Sequence, residues 1–103
     1  MTARRILRVG RAAAAQISEI ARWWRVNRPA SPSLFVDELS GAYDLIRHQP
    51  KVGQPVVGAK SDRVRRVHML RSRYYLYYQE SETGDAVEVL ALWHASRGPD
   101  PDL

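Results

Sequence analysis

The chain has 103 residues, 45% of them apolar, and 16 basic against 11 acidic side chains give a net charge of +5. That length predicts one domain with a modest core, which excludes disorder as the main state and a second folded unit. Cysteine is absent, so a disulfide scaffold, a thiolate metal site and a cysteine nucleophile are excluded together.

Arg5 to Val9 is short, β-branched at two positions and followed by Gly10, which predicts a strand ending in a turn. From Arg11 to Asn27, the residues Ala13, Ile17, Ile20 and Trp24 recur at steps of four, three and four and so share one face of a helix. Four consecutive alanines favour that helix, and Arg28-Pro29 ends it, because the residue before proline is pushed out of the α region. Ser31-Pro32 predicts the next helix start, with Ser31 as cap and Pro32 in the first turn, where its missing amide costs nothing. Phe35, Leu39, Ala42 and Ile46 repeat the same steps, Asp37 and Glu38 come early, Arg47 and His48 late, and Pro50 lies just beyond. Two such helices with a short link form an antiparallel hairpin.

The stretch from Pro50 to Asp62 has no periodic pattern and reads as a loop. The period then changes to two. Val64–Leu70, Tyr74–Gln79 and Ala86–Trp93 are predicted strands, and connections as short as Arg71-Ser-Arg73 and Ser81–Asp85 make them an antiparallel meander. The order β-α-α-β-β-β predicts an α+β domain over residues 1–97, with the helical hairpin on one face of an antiparallel sheet. The first strand joins an edge of the meander, the other sheet face stays open to a partner, and residues 98–103, with Gly98, Pro99 and Pro101, form an irregular tail.

Fourteen of the 16 cations are arginine, and they fall in blocks. Residues 1–28 carry +6 and 51–73 carry +6, against −2 for 29–50 and −5 for 80–103. Such blocks suit an anionic partner, either nucleic acid or an acidic protein, as well as a simple solvated surface. No apolar run is long enough to cross a membrane and residues 12–17 are too short for a secretory leader, so a cytoplasmic protein is expected.

Glu88 lies inside an apolar strand and calls for a cross-strand partner such as Arg66 or Arg71. His48, His68 and His94 lack the spacing of a metal motif, and Val52–Gly58 lacks that of a phosphate loop, so neither a metal nor a cofactor is expected. Adjacent helical residues diverge by about 100°, so with Trp24 in the core Trp23 lies at the margin, as a contact surface or clamped under the loop that follows. Tyr74, Tyr75, Tyr77 and Tyr78 divide between the two faces of one strand. Those on the open face lie beside Arg66 and His68 or beside Arg65 and Arg73; aromatics next to arginines can hold single-stranded RNA, although tyrosine is also an ordinary strand residue.

The run Gln49–Pro55, then Val64–Leu70, Tyr74–Gln79 and Val87–Arg97, with the strand ending in Trp93-His94-Ala95-Ser96-Arg97 as its most specific part, resembles the RelE/ParE superfamily of bacterial type II toxins. The resemblance covers nearly the whole chain and implies the same strand, helical hairpin and curled sheet. RelE-like members cut messenger RNA in the ribosome with basic residues on the sheet and a C-terminal aromatic. Here Tyr75 matches the position of the catalytic arginine, the second arginine falls near Ala95 with Arg97 two places on, and residues 98–103 hold no Tyr, His or Phe. One lost electrostatic donor costs about 2.7–4 kcal/mol of transition-state stabilisation.

The departure therefore points to the ParE branch, whose members poison DNA gyrase and have no active site of their own. His94 and Arg97 are the candidates for acid/base and phosphate contact if the chain is instead a ribosome-dependent endoribonuclease. A third reading is an antitoxin-binding module without toxicity. The resemblance also implies a cognate antitoxin with an acidic, amphipathic tail, in a hetero-oligomer. Arg71, Arg73, His94 and Arg97 are the expected target contacts. Trp23, Arg65, Tyr75 and Tyr77 are the expected antitoxin contacts.

Overall fold

The computed structural model describes residues 5–103, so the first four residues of the expected domain lie outside the described part. The elements run β1 (Ile6–Val9), α1 (Arg11–Asn27), α2 (Leu34–His48), β2 (Gln54–Pro55), β3 (Arg65–Met69), β4 (Tyr74–Glu80) and β5 (Ala86–His94), followed by a single 3₁₀ turn at Ala95–Arg97. The sheet order is β1-β5-β4-β3-β2. β3, β4 and β5 form the expected antiparallel meander. β1 does join its edge, but parallel to β5, so the sheet is mixed. β2 is a strand of two residues inside the stretch read as a loop, and its proline is tolerated because it is at the sheet edge.

Both helices lay their apolar stripe on the sheet. Ala13 is buried, with Ile17, Ile20 and Trp24 packed on the core, and Phe35, Leu39 and Ile46 are buried with Ala42 beside them. Tyr78, Leu76, Val87, Val89 and Leu92 form the facing layer of strand side chains. The second helix starts at Leu34, later than Ser31-Pro32 predicts, because residues 29–33 form turns first. Ser31 accepts the Leu34 amide through its carbonyl instead of capping with its hydroxyl, and Ser33 stands at the helix start without a side-chain cap.

One irregularity decides which face the end of β5 presents. Tyr77 pairs with Ala91 but Tyr78 pairs with Val89, so Leu90 is an inserted, unpaired residue, a β-bulge. Strict alternation from Val87 would put Trp93 in the core and His94 outside. The bulge reverses this: Leu92 faces the core with Leu76, Trp93 faces away with Tyr75, and His94 lies on the helix side with Tyr74. Gln16 of α1 accepts the Leu92 amide at 2.9 Å, which supplies a partner to β5 where β1 has ended.

Candidate functional site

The four tyrosines of β4 divide as their alternation requires. Tyr74 and Tyr78 pack under the helices, and Tyr75 and Tyr77 lie on the other face. Tyr78 is fully buried, and its hydroxyl donates to the Pro50 carbonyl at 2.8 Å while accepting from the Gly53 amide at 2.9 Å. Burial holds its proton above the ordinary tyrosine range. This clasp fixes the stretch that leads into β2.

On the opposite face, Arg66, His68, Tyr75 and Tyr77 come together. The Arg66 guanidinium sits 4.1 Å above the Tyr75 ring, and His68 stacks on that ring at 4.6 Å. Arg65 points away from them, since it pairs with Tyr78 and donates to the Gly53 carbonyl at 2.7 Å. The expected grouping of Arg65 with Tyr75 and Tyr77 is therefore corrected to Arg66. Two adjacent arginines on a strand cannot share a face, and the sequence alone does not say which one the register turns outward.

This face is also less open than expected. Residues 98–103 carry no helix or strand and fold back over it. Pro99 accepts from the Trp93 indole at 3.1 Å, the Lys60 amide donates to the Leu103 carbonyl at 2.7 Å, and Asp100 Oδ1 takes hydrogen bonds from Tyr77 at 2.5 Å and Arg66 at 2.6 Å. Tyr77 is left with no exposed surface. Burial, reinforced by the Asp100 hydrogen bond, pushes its hydroxyl pKa up to about 12.

Glu88 meets neither Arg66 nor Arg71. Its register partners are Gln79 on β4, which donates to it at 3.2 Å, and Arg8 on β1. Among the described residues, no group of three or more histidine, cysteine or acidic side chains is placed to hold a metal, and no helix is long and apolar enough to cross a membrane.

A concavity lies on the helix side, where the end of α1 meets the β3–β4 turn and the end of β5. This cleft of about 400 Å³ is lined by Trp23, Trp24, Arg28, Arg71, Arg73 and His94, with Ser72 and Tyr74 at its floor. Trp23 is 47% exposed and Trp24 is packed on the core, as the helical spacing predicts. Arg28 lies over both indoles, at 5.1 and 6.0 Å. Arg73 is the one described non-glycine residue with a left-handed backbone (φ 66°); its carbonyl accepts the Ala95 amide at 2.8 Å, tying the turn to the end of β5.

The turn is held from behind by Glu38 of α2. Its carboxylate accepts the Arg71 and Ser72 amides, both at 2.8 Å, and the Ser72 hydroxyl at 2.7 Å. Burial pushes the Glu38 pKa upward, but these hydrogen bonds and the nearby Arg71 charge outweigh it, and the carboxyl lies below its ordinary value. The guanidiniums of Arg71 and Arg73 have no carboxylate at ion-pair distance among the described residues.

His94 and Arg97, the ribonuclease candidates, border a neighbouring groove of about 160 Å³ with Gln16, Glu19 and Tyr74. His94 Nδ1 accepts the Ser96 amide at 3.2 Å and so caps the 3₁₀ turn, while the Arg97 guanidinium lies 3.9 Å over the Trp93 ring. Arg71, Arg73 and His94 are thus brought together, with Arg97 next to them. Arg28, which sequence reasoning left out of the site, joins them. Its place one helical turn beyond Trp24, at the C-cap of α1, is the signal that could have found it.

A two-helix hairpin packed on a five-strand mixed sheet is the architecture of the RelE/ParE toxins. The model of the family described as "ParE toxin of type II toxin-antitoxin system, parDE" matches residues 7–99, and the chain belongs to that family. Among solved structures, the chromosomal ParDE system of P. aeruginosa contains a chain with a TM-score of 0.70 at 16% identity, over 89% of this chain and 97% of that one. The E. coli toxin RelE, as a mutant in the free state, gives 0.60 at 15% identity over 93% and 88%. The toxin-antitoxin complex RelBE2 of Mycobacterium tuberculosis gives 0.54 at 18% identity over 89% and 99%. No curated protein matches the chain.

Proposed function

We propose that this type II toxin arrests growth as a ParE-branch poison of DNA gyrase and not by cutting RNA, and that a cognate antitoxin neutralises it in a cytoplasmic hetero-oligomer. The observation that carries the reading is Tyr75. It stands where the resemblance to RelE-like enzymes places a catalytic arginine, and both Arg66 and His68 contact its ring. The adjacent cation, Arg66, is neutralised by Asp100, so little positive charge remains there for a developing phosphorane.

An acidic antitoxin segment fits the basic blocks. Trp23, exposed beside the basic cleft, is its accessible anchor, and Tyr75 is a half-buried one covered in part by Arg66 and His68. A segment that reached Tyr77 would first displace residues 98–103, and Arg65 would contribute less, because the Gly53 carbonyl already holds it.

One observation favours the ribonuclease reading. Arg66, His68 and Tyr75 bring a guanidinium, an imidazole and a stacking ring together on one face, and displacing Asp100 would free the guanidinium for a phosphate. Induced expression without the antitoxin separates the two. The gyrase reading predicts growth arrest with a DNA-damage response preceding any fall in translation. Translation arrest first, with cuts inside translated messages by primer extension, would establish the ribonuclease, and no growth arrest would leave only an antitoxin-binding module.

A further inference from the structure

The cleft between α1 and the β3–β4 turn gathers the expected target contacts Arg71, Arg73 and His94 beside Trp23, and its combined chemistry suits a further ligand. We propose that it binds a nucleoside phosphate, either a free nucleotide or the phosphorylated end of a single strand, whichever target the toxin poisons. Three arginines converge on it from two separate elements, Arg28 from the end of α1 and Arg71 and Arg73 from the turn. No carboxylate lies in the lining; Glu38 turns its oxygens to the amides behind the turn, and Glu19 lines the adjoining groove. Arginine forks match phosphate oxygens, and two forks on one short turn suit more than one oxygen.

The second half of the argument is aromatic. Trp23 presents a half-exposed indole at the mouth, and Trp24 meets it edge-on at 5.8 Å. A base stacks on such a surface whatever its identity, and the volume of about 400 Å³ is in the range of small-ligand sites. The turn is also built to a fixed shape. Arg73 keeps a left-handed backbone that costs energy in a side-chain-bearing residue, and Glu38 and the Ala95 amide hold it there, so its guanidinium is presented from a braced position. A nucleotide carries a flat base for the indole and a phosphate for the arginines within one small ligand, which favours it over an acidic peptide for a cleft of this size.

The test titrates the isotope-labelled protein with four probes: inorganic phosphate, adenosine monophosphate, a short 5′-phosphorylated thymidine oligonucleotide, and a glutamate-rich peptide. Amide shifts and tryptophan emission are followed. A nucleotide should saturate shifts at Trp23, Arg28, Arg71 to Tyr74 and His94, and quench emission. An Arg71→Gln/Arg73→Gln double variant, whose exposed side chains can change without unfolding the chain, should bind about tenfold or more weakly. Its salt slope with the oligonucleotide should fall by about two. A stronger response to the monophosphate identifies a free nucleotide, and a stronger one to the oligonucleotide identifies a strand end. Shifts by phosphate as tight as by nucleotide, equal or tighter binding of the acidic peptide, no saturable shift, or an unchanged double variant would each overturn the proposal.

Discussion

The Tyr77 hydroxyl donates to Asp100 Oδ1 at 2.5 Å, and this bond fastens the C-terminal tail across the sheet face that a partner would otherwise use. Arg66 reaches the same oxygen at 2.6 Å, so one carboxylate serves a buried phenol and a partly buried guanidinium. Asp100→Ala should loosen residues 98–103, raising amide exchange there and exposing Tyr77 to solvent. The expected cost is about 1 kcal/mol, since the pair is partly solvated. A tail that stays as protected as before would show that Pro99 and Leu103 hold it without the carboxylate.

Burial of the Tyr77 hydroxyl, with that bond beside it, sets an alkaline limit. Tyr77 ordinarily titrates at 10.0 and is pushed up to about 12 in the folded chain, so the folded state holds its proton more tightly than the unfolded state does. The resulting stability is fully present below pH 10.0 and is lost as the pH rises toward 12. Chemical denaturation across that window should show the advantage of the native chain over Tyr77→Phe shrinking. Tyr43, Tyr74 and Tyr78 are raised as well and add a common decline to both proteins.

Glu38 works in the opposite direction. Its folded pKa lies below the ordinary 4.5, so the stability it adds is present above that value and is lost as the pH falls through the folded one. Glu38→Ala should cost about 1–2 kcal/mol at neutral pH and nearly nothing in strong acid. The Arg71–Arg73 turn should become mobile in the variant, seen as line broadening of those amides.

Gly53 leaves no room for a side chain. A Cβ there would sit 2.5 Å from the Tyr78 hydroxyl and 2.8 Å from the Arg66 carbonyl, both part of buried or paired structure. Gly53→Ala should destabilise by about 1–3 kcal/mol, the usual range for overpacking, and should release β2 from β3. A thermal melt of the variant within error of the native chain would contradict the packing described.

Much of this was legible in the residues. The steps of Ala13, Ile17, Ile20 and Trp24, and of Phe35, Leu39, Ala42 and Ile46, mark helical faces because burial repeats with the helical turn. The bulge at Leu90 was not legible, since a leucine suits an inserted residue as well as a paired one, yet it decides that Trp93 faces the tail and His94 the cleft. The choice between Arg65 and Arg66 depended on register, and the docking of Asp100 depended on a contact 34 residues from Arg66. Of the site, the basic turn and Trp23 could be read from sequence; Arg28 and the tail were found only in three dimensions.

The central claim concerns the target, and purified protein incubated with DNA gyrase, ATP and plasmid tests it most directly. The account predicts loss of supercoiling with accumulation of cleaved DNA at about micromolar toxin, a usual affinity for transient complexes. Tyr75→Ala should retain this effect, because a gyrase poison makes no chemical use of that position. Full supercoiling with no cleaved complex at that concentration would contradict the account.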